Sequence, residues 1–243
     1  MSCVIELRRV GFSAQGRTLV SDVSLRLGEG KSVALVGPSG GGKSTVLKLA
    51  AGLLMPDGGS VFFRGKEIAK MSRQENLDFR REGAFVFQDG ALWANQTLFQ
   101  TLELPLRVHF PAMTSKERGE RVEAAAARVG YKRELGIRPS GLSWGEQKLI
   151  AFARALICGP TLLFLDEWTE SLDEKGAQRL IGIARGMKDD GASILFVSHD
   201  IRIIRRIADA VMLVAGGGIA CRLAADEISC DEDLERLVEM GAA

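Results

Sequence analysis

The segment Ser32-Val33-Ala34-Leu35-Val36-Gly37-Pro38-Ser39-Gly40-Gly41-Gly42-Lys43-Ser44-Thr45 carries the clearest structural signal in the chain. Its first five residues are a short apolar run that predicts a buried parallel strand, and Ser44 to Leu53 predicts a helix. The turn between them fits the pattern GxxxxGK[ST], which binds phosphate when it joins a strand to a helix. A glycine-rich turn alone often binds nothing, but the Lys-Ser pair and the flanking elements favour phosphate binding.

The residues of this loop have distinct expected roles. Glycines allow backbone N–H groups to close around phosphate oxygens, and the helix N-terminus adds the positive end of its dipole. Lys43 is expected to reach the β- and γ-phosphates, and Ser44 is expected to bind Mg²⁺. The predicted nucleotide contacts in the loop are Gly37, Pro38, Ser39, Gly40, Gly41, Gly42, Lys43, Ser44 and Thr45.

Two acids follow a second apolar run, Leu162 to Leu165. Ligands gather at the carboxyl ends of strands in open α/β sheets, so Asp166 is predicted to hold Mg²⁺ through a water molecule, and Glu167 to act as general base toward the attacking water. Taken alone, the pair is equally well explained by two solvated acids, and it is the phosphate loop that favours function. His199 follows a third predicted strand, where it can contact the γ-phosphate or the attacking water.

The order of predicted elements gives an α/β fold. Runs at Cys3 to Val10 and Leu19 to Leu27 predict N-terminal antiparallel strands, and strands that alternate with helices predict a mainly parallel sheet. Helical spacing over residues 89–158 predicts an inserted α-helical subdomain. We expect one domain with a nucleotide-binding core at 1–88 and 159–225 and a C-terminal helix at 226–243.

Composition narrows the classes of partner. The net charge is +1, with 46% hydrophobic and 26% charged residues, so nothing indicates a nucleic-acid partner. The four cysteines form no CxxC pair, which argues against a zinc site or a disulfide framework. No apolar run reaches the roughly 20 residues that span a bilayer, and we expect no signal peptide. Any action at a membrane is therefore expected to occur through other subunits.

Together these motifs resemble the ABC-type ATPases over nearly the whole chain. That family places a glutamine between the core and the helical lobe, matched here by Gln88, and an LSGGQ-like signature, matched by Leu142-Ser143-Trp144-Gly145-Glu146. The acid pair, a loop resembling Ser171-Leu172-Asp173 and a switch histidine follow in the family's order. A phosphate loop is shared by many NTPases, whereas this combination is specific to ABC proteins.

The resemblance implies an ATP-bridged dimer that powers transport. Ser143 and the Gly145 amide are expected to touch the γ-phosphate held by the opposing subunit, and Asp173 to cross the interface. Gln88 is expected to sense Mg²⁺ and γ-phosphate, while Lys43, Glu167 and His199 carry the hydrolysis. The implied partners are a second ATP-binding subunit, as a homodimer, and an integral membrane permease. The implied location is peripheral, on the cytoplasmic face of the inner membrane.

The sequence departs from the family at several positions. Trp144 replaces a signature glycine and either clashes with a bound phosphate or packs outward, and Glu146 adds negative charge near that phosphate. These changes predict slow hydrolysis or dependence on a partner. Trp168 replaces a proline and is expected to affect loop rigidity more than chemistry. Ala14 stands where an aromatic stacks on adenine. Phe12 is a candidate substitute, although a core position explains Phe12 equally well.

The cargo has only a weaker signal. Phe87-Gln88-Asp89-Gly90-Ala91-Leu92-Trp93 and Glu103-Leu104-Pro105-Leu106-Arg107 look like the ATPases of Mla/MCE-type lipid transporters, which implies an MlaE-like permease and an MCE-type or substrate-binding component. The segment 89–101 is then expected to receive a coupling helix of the permease. Two alternatives stay open: a soluble ABC ATPase that is not coupled to transport, and a nucleotide-switched module that hydrolyses weakly.

Overall fold

The computed structural model describes residues 2–227, 232, 233 and 236. The strands are β1 Cys3–Ala14, β2 Arg17–Gly28, β3 Ser32–Val36, β4 Gly58–Phe63, β5 Lys66–Glu67, β6 Gly83–Val86, β7 Leu162–Asp166, β8 Ser193–Val197, β9 Ala210–Ala215 and β10 Gly218–Ala224. The helices are α1 Lys43–Ala50, α2 Arg73–Glu82, α3 Leu98–His109, α4 Ser115–Arg128, α5 Trp144–Leu156, α6 Glu174–Asp189 and α7 Ile201–Ile207.

The larger sheet has the strand order β10-β9-β3-β8-β7-β6. Its strands pair in parallel except for β10, which forms an antiparallel hairpin with β9. Every residue of β3, β7 and β8 is buried, because both faces of these strands are covered. Their apolar runs are continuous for that reason, and this explains why they were predictable as buried parallel strands.

The two faces of this sheet belong to separate hydrophobic clusters. Side chains alternate along a strand, so Val33 and Leu35 of β3 join one cluster, whereas Ala34 and Val36 join the other. The first cluster includes β1, β2 and α1, and the second includes α3, α4 and α5. The sheet is thus held between the N-terminal strands on one face and the inserted helices on the other.

The smaller sheet is antiparallel, with the order β2-β1-β4-β5. Helices α3, α4 and α5 lie between β6 and β7, within the interval predicted to be helical. The predicted fold class is therefore confirmed: an α/β core with a mainly parallel sheet, N-terminal antiparallel strands and inserted helices. The exact division at residues 88 and 158 stays a prediction.

Some elements differ from the sequence prediction. Helix α1 ends at Ala50 rather than Leu53, because Gly52 adopts a left-handed conformation with φ of 61°. Helix α2 and strand β10 were not predicted. The predicted C-terminal helix at 226–243 lies largely outside the described residues. No helix in the described part of the chain combines the length and the apolar character that a bilayer crossing requires.

Candidate functional site

The order of the parallel strands brings the candidate residues together. Strands β3, β8 and β7 are neighbours, so the loops at their carboxyl ends meet at one edge of the sheet, and β6 lies beside β7. A cavity of about 490 Å³ opens there. It is lined by Val36, Gly37, Ser39, Gly40, Lys43, Ser44, Gln88, Glu167, Glu170, Val197, Ser198 and His199.

The phosphate loop has no room for side chains at two of its glycines. A Cβ at Gly37 would lie 2.1 Å from the carbonyl oxygen of Val214, and one at Gly42 would lie 2.7 Å from that of Leu19. Both glycines also have positive φ, 141° and 100°. Glycine is therefore required at these positions, because the loop backbone packs closely against the carbonyl groups of Val214 and Leu19.

Lys43 folds over this loop. Its Nζ donates to the carbonyl oxygens of Gly37 and Pro38 at 2.9 and 2.8 Å. Burial lowers the pKa of the Lys43 ammonium, and the nearby Glu167 and Asp166 oppose that shift. Helix α1 starts just after Gly42 without a side-chain cap, so its first N–H groups face the loop. Together these donors can hold an anion.

Ser44 and Asp166 form the candidate Mg²⁺ site. The Ser44 hydroxyl donates to Asp166 Oδ1 at 2.9 Å. Two adjacent ligands of an octahedral Mg²⁺ with Mg–O distances of about 2.0–2.1 Å are also roughly 2.9 Å apart, so this pair of oxygens fits the ion. Asp166 is only 2% exposed, and burial raises the pKa of its carboxyl while the bond from Ser44 opposes that shift.

Glu167 and His199 contact each other in the lining of the cavity. Glu167 Oε1 lies 3.0 Å from His199 Nδ1. The Glu167 side chain is 13% exposed and that of His199 is 78% exposed, so one partner is sheltered and the other is open to solvent. Burial raises the pKa of the Glu167 carboxyl, and the contact with His199 lowers it. The pair can hold and transfer a proton beside the phosphate loop.

The backbone at Glu167 is strained. Its φ is 43°, a left-handed value that is uncommon for a residue with a side chain and costs about 1–3 kcal/mol. Its N–H donates to the carbonyl oxygen of Val197 at 3.2 Å, which joins this turn to the end of β8. Such strain persists only where neighbouring structure enforces it, and it is common at functional sites.

Gln88 joins the site through a residue that the sequence did not single out. Its Nε2 donates to Glu170 Oε2 at 3.0 Å, and both side chains line the cavity.

Lys148 is a second functional residue that the sequence analysis missed. It is 3% exposed, and its Nζ donates to the carbonyl oxygen of Glu167 at 2.9 Å. The sequence signal for Lys148 was its place three and four residues before Ala151 and Phe152, on the buried face of α5.

The predicted signature lies at the start of α5 and lines no part of the cavity. Leu142 is buried in the core, Ser143 is the N-cap, and Trp144 is 65% exposed and packs outward. A Cβ at Gly145 would lie 3.2 Å from the carbonyl oxygen of Ser171, so the helix start packs closely on that loop. Within one subunit, the signature and the phosphate loop are therefore separate surfaces.

Glu146 belongs to a capping box. Its carboxylate accepts from the Ser143 N–H at 2.9 Å and from the Ser143 hydroxyl at 3.1 Å, and the Ser143 Oγ accepts from the Glu146 N–H at 3.2 Å. Arg133 donates to both carboxylate oxygens at 3.0 and 3.1 Å. Bonds from the Ser143 backbone and from Arg133 lower the pKa of the carboxyl. The negative charge expected at this position is thus paired with a cation.

Three further predicted residues, Asp173, Thr45 and Phe12, are not part of the cavity lining. Asp173 caps α6 by accepting from the Gly176 N–H at 2.7 Å. Thr45 is in the first turn of α1. Phe12 is half-buried and packs against the cluster that contains β1 and β2, and it too is absent from the lining. Its role toward adenine stays a prediction.

Trp168 is fully buried and makes an edge contact with Phe196 at 5.5 Å between ring centroids. Its Nε1 has no hydrogen-bond partner in the described structure. The residue after Glu167 is thus fixed by core packing on β8, and its effect on the rigidity of the loop stays a prediction.

Known proteins are similar to this chain in sequence. The family model described as "ABC transporter" matches residues 20–170. The nickel import ATP-binding protein NikE of Brucella abortus is 36% identical over 214 residues, covering 86% of this chain and 80% of NikE. The macrolide export ATP-binding/permease protein MacB of Pasteurella multocida is 32% identical, with 88% of this chain and 32% of MacB covered.

A solved structure extends the comparison to three dimensions. A dimeric ATP-binding cassette in a post-hydrolysis state, bound to ADP and Pi, superposes with a TM-score of 0.84 and 27% identity, covering 91% of this chain and 98% of that one. The enzymatic activity is accordingly ATP hydrolysis, with ATP and Mg²⁺ bound. By sequence, by fold and by the arrangement of its site, the chain belongs to the ABC transporter family and is an ATP-binding subunit.

Proposed function

We propose that this chain hydrolyses ATP with Glu167 as general base and works as a homodimer beneath a separate membrane permease. One observation carries the assignment: the phosphate loop, Glu167 and His199 line a single cavity. Lys43 and the loop N–H groups would hold the β- and γ-phosphates. When bound through Ser44, Asp166 and Gln88, Mg²⁺ would neutralise phosphate charge and orient the γ-phosphate.

In this proposal Glu167 accepts the proton of the attacking water. His199 holds the Glu167 carboxylate at 3.0 Å and stays exposed enough to face the γ-phosphate. A raised carboxyl pKa makes Glu167 a better proton acceptor than an exposed glutamate. Gln88, bonded to Glu170, would report occupancy of the site to the helical insertion.

The second half of each site is proposed to come from another copy of the chain. Ser143, Trp144, Gly145 and Glu146 lie apart from the cavity of their own subunit. An ATP-bound cavity would be closed by the opposing Ser143 and Gly145, with Asp173 crossing nearby. The dimeric state of the related cassette supports this arrangement.

We propose a groove beside this site as the permease contact. It has a volume of about 380 Å³ and is lined by Arg80, Arg81, Gly83, Ala84, Phe85, Phe87, Ala91, Trp93, Pro105, His109, Arg154, Ala155 and Cys158. Trp93 is 45% exposed, and Arg154 ties the adjacent loop to α5 by donating to the carbonyl oxygens of Gly90 and Ala91. A structured groove lined by both aromatic and basic side chains suits a short helix of a membrane subunit at the cytoplasmic surface of the inner membrane.

For the cargo we propose a phospholipid or another lipid, moved through an MlaE-like permease with an MCE-type component. The support is the sequence of residues 87–93 and 103–107. Relatives are named for nickel, macrolide and methionine transport, so cassettes of this similarity serve chemically different cargoes. Mass spectrometry of proteins that co-purify with the tagged chain from its own membranes tests this. An MlaE-like permease supports it, and a permease of another class overturns it.

The base assignment is tested by Glu167→Gln, compared with Glu170→Gln from the same cavity. A general base contributes about 10²–10⁴-fold, so Glu167→Gln should reduce single-turnover hydrolysis by at least 100-fold and leave ATP binding intact. Glu170→Gln should reduce it much less, since that carboxylate is paired with Gln88. Equal losses in both variants, or none in Glu167→Gln, would refute the assignment. The rate of hydrolysis by the parent chain also distinguishes an enzyme from a nucleotide-switched module, which would hydrolyse ATP only weakly.

A further inference from the structure

Lys148 is a buried cation that the proposed reaction leaves unused. It lies in α5, about one and a half helical turns from the Ser143 cap, and it is 3% exposed. Lysine is almost never buried so completely unless it is paired. Its Nζ donates to the carbonyl oxygen of Glu167 at 2.9 Å. The helix that begins with the signature is therefore bonded directly to the peptide of the catalytic residue.

This bond acts on the strained part of the site. Glu167 has φ of 43°, and its carbonyl oxygen also accepts from the Glu170 N–H at 3.2 Å. Its own N–H is bonded to Val197 on β8. Among the described residues that bond to this peptide, only Lys148 comes from the inserted helices. The backbone geometry of Glu167 thus depends on where α5 lies.

Acidic side chains lie around Lys148. Burial lowers the pKa of its ammonium, and the nearby carboxylates of Glu170, Glu167, Asp166 and Asp89 oppose that shift without reversing it. Lys148 thus supplies a directed hydrogen bond to the Glu167 peptide from among these carboxylates.

We propose that Lys148 is a positioning residue that couples the signature helix to the catalytic glutamate of its own subunit. When nucleotide on the opposing subunit engages Ser143, a shift of α5 moves the Lys148 ammonium and, through it, the peptide of Glu167. Each site then responds to occupancy of the other. This inference rests on the proposed assignment of Glu167 as general base.

The test is single-turnover and steady-state hydrolysis by full-length Lys148→Met. We expect kcat to fall by about tenfold to a hundredfold, because a small displacement of a catalytic group has a cost of that size, while KM for ATP stays within about twofold. Lys148→Arg, which keeps the charge and the donors, should recover part of the lost rate. The Hill coefficient for ATP should fall toward 1 in Lys148→Met.

Lys188→Met is the matched control. Lys188 is also largely buried and donates to Asp209 at 2.8 Å, at the far end of α6 and outside the cavity lining. A merely structural lysine would lower Tm in both Met variants without changing kcat per folded molecule. If Lys148→Met does not fold, Lys148→Gln carries the same comparison.

The outcomes separate this inference from the proposed function. Suppose that Glu167→Gln abolishes hydrolysis. The positioning role is then overturned if Lys148→Met keeps kcat within twofold of the parent, or if its kcat falls no further than that of Lys188→Met. If Glu167→Gln hydrolyses at the parental rate, the base assignment fails and this inference fails with it. A selective loss of kcat in Lys148→Met, restored in part by Arg, supports it.

Discussion

The Arg133–Glu146 pair determines the local charge where the signature would meet nucleotide. Arg133 bridges both carboxylate oxygens of Glu146 and also donates to the carbonyl oxygen of Gly141 at 3.2 Å. Glu146 in turn holds the hydroxyl of Ser143. The charge that the sequence suggested would repel a γ-phosphate is therefore offset within the same subunit, and slow hydrolysis does not follow from Glu146 alone.

Arg133→Ala should expose that charge. We expect the concentration of ATP needed for dimerisation to rise by about threefold to tenfold, because an unpaired carboxylate would face the opposing phosphate. Light scattering across an ATP titration measures this. The double variant Arg133→Ala, Glu146→Gln should dimerise at the ATP concentration of the parent, since glutamine keeps the capping box without the charge. A midpoint unchanged in Arg133→Ala would show that the pair has no role in dimerisation.

Cys158 provides a test of burial in the groove that we propose as the permease contact. Desolvation raises the pKa of its thiol to about 11, and only the thiolate is nucleophilic. At pH 8 its alkylation by iodoacetamide should be more than about 100-fold slower than that of a free thiol with a pKa of about 8.5, and it should rise with pH toward 11. Peptide mapping by mass spectrometry follows this residue separately. Alkylation at the rate of a free thiol at pH 8 would contradict the burial.

At the scale of elements, capping boxes start four of the helices. Ser72, Thr97, Thr114 and Ser143 each accept from the N–H three residues later, where a glutamate or glutamine bonds back. This S/T-x-x-E/Q pattern is readable in a sequence. When residues 143–146 are interpreted only as a signature, their second role as the start of α5 is overlooked. That role explains why a glutamate stands at position 146, since its carboxylate completes the capping box.

Removing the cap at Ser143 should lower stability and weaken dimerisation together. Ser143→Ala should reduce the free energy of unfolding in urea by about 1 kcal/mol. Thr114→Ala removes the equivalent cap on α4, so it should cost a similar amount of stability and leave ATP-dependent dimerisation unchanged. Equal effects of the two variants on dimerisation would argue against a contact between Ser143 and nucleotide.

Much of the core was predictable because its signals are local. Strand β3, the phosphate loop and β7 follow from continuous apolar runs and the GK[ST] pattern. Helix α2 was missed although Ser72 and Glu75 mark its start, and β10 was missed although Gly216-Gly217 marks a hairpin turn. These short polar or edge elements lack a strong apolar period. Contacts such as Lys148 to Glu167, 19 residues apart, depend on tertiary packing and have no local pattern.

At the scale of the whole molecule, Trp144 should report the joining of two subunits. It is 65% exposed, whereas Trp168 is fully buried and should keep the same environment. ATP added to Glu167→Gln should shift the tryptophan emission to shorter wavelength as Trp144 becomes covered. Trp144→Phe should lose this shift and Trp93→Phe should keep it. A shift that survives in Trp144→Phe would place the signature outside the interface.

The mass of Glu167→Gln by light scattering, with and without ATP and Mg²⁺, tests the ATP-bridged dimer most directly. We expect the mass of a single chain without nucleotide and twice that mass with it, because ATP held by one phosphate loop is closed by the opposing signature. The double variant Lys43→Ala, Glu167→Gln should keep the mass of a single chain when ATP and Mg²⁺ are added. A mass that does not change with ATP, or a doubled mass in both variants, would contradict an ATP-bridged dimer.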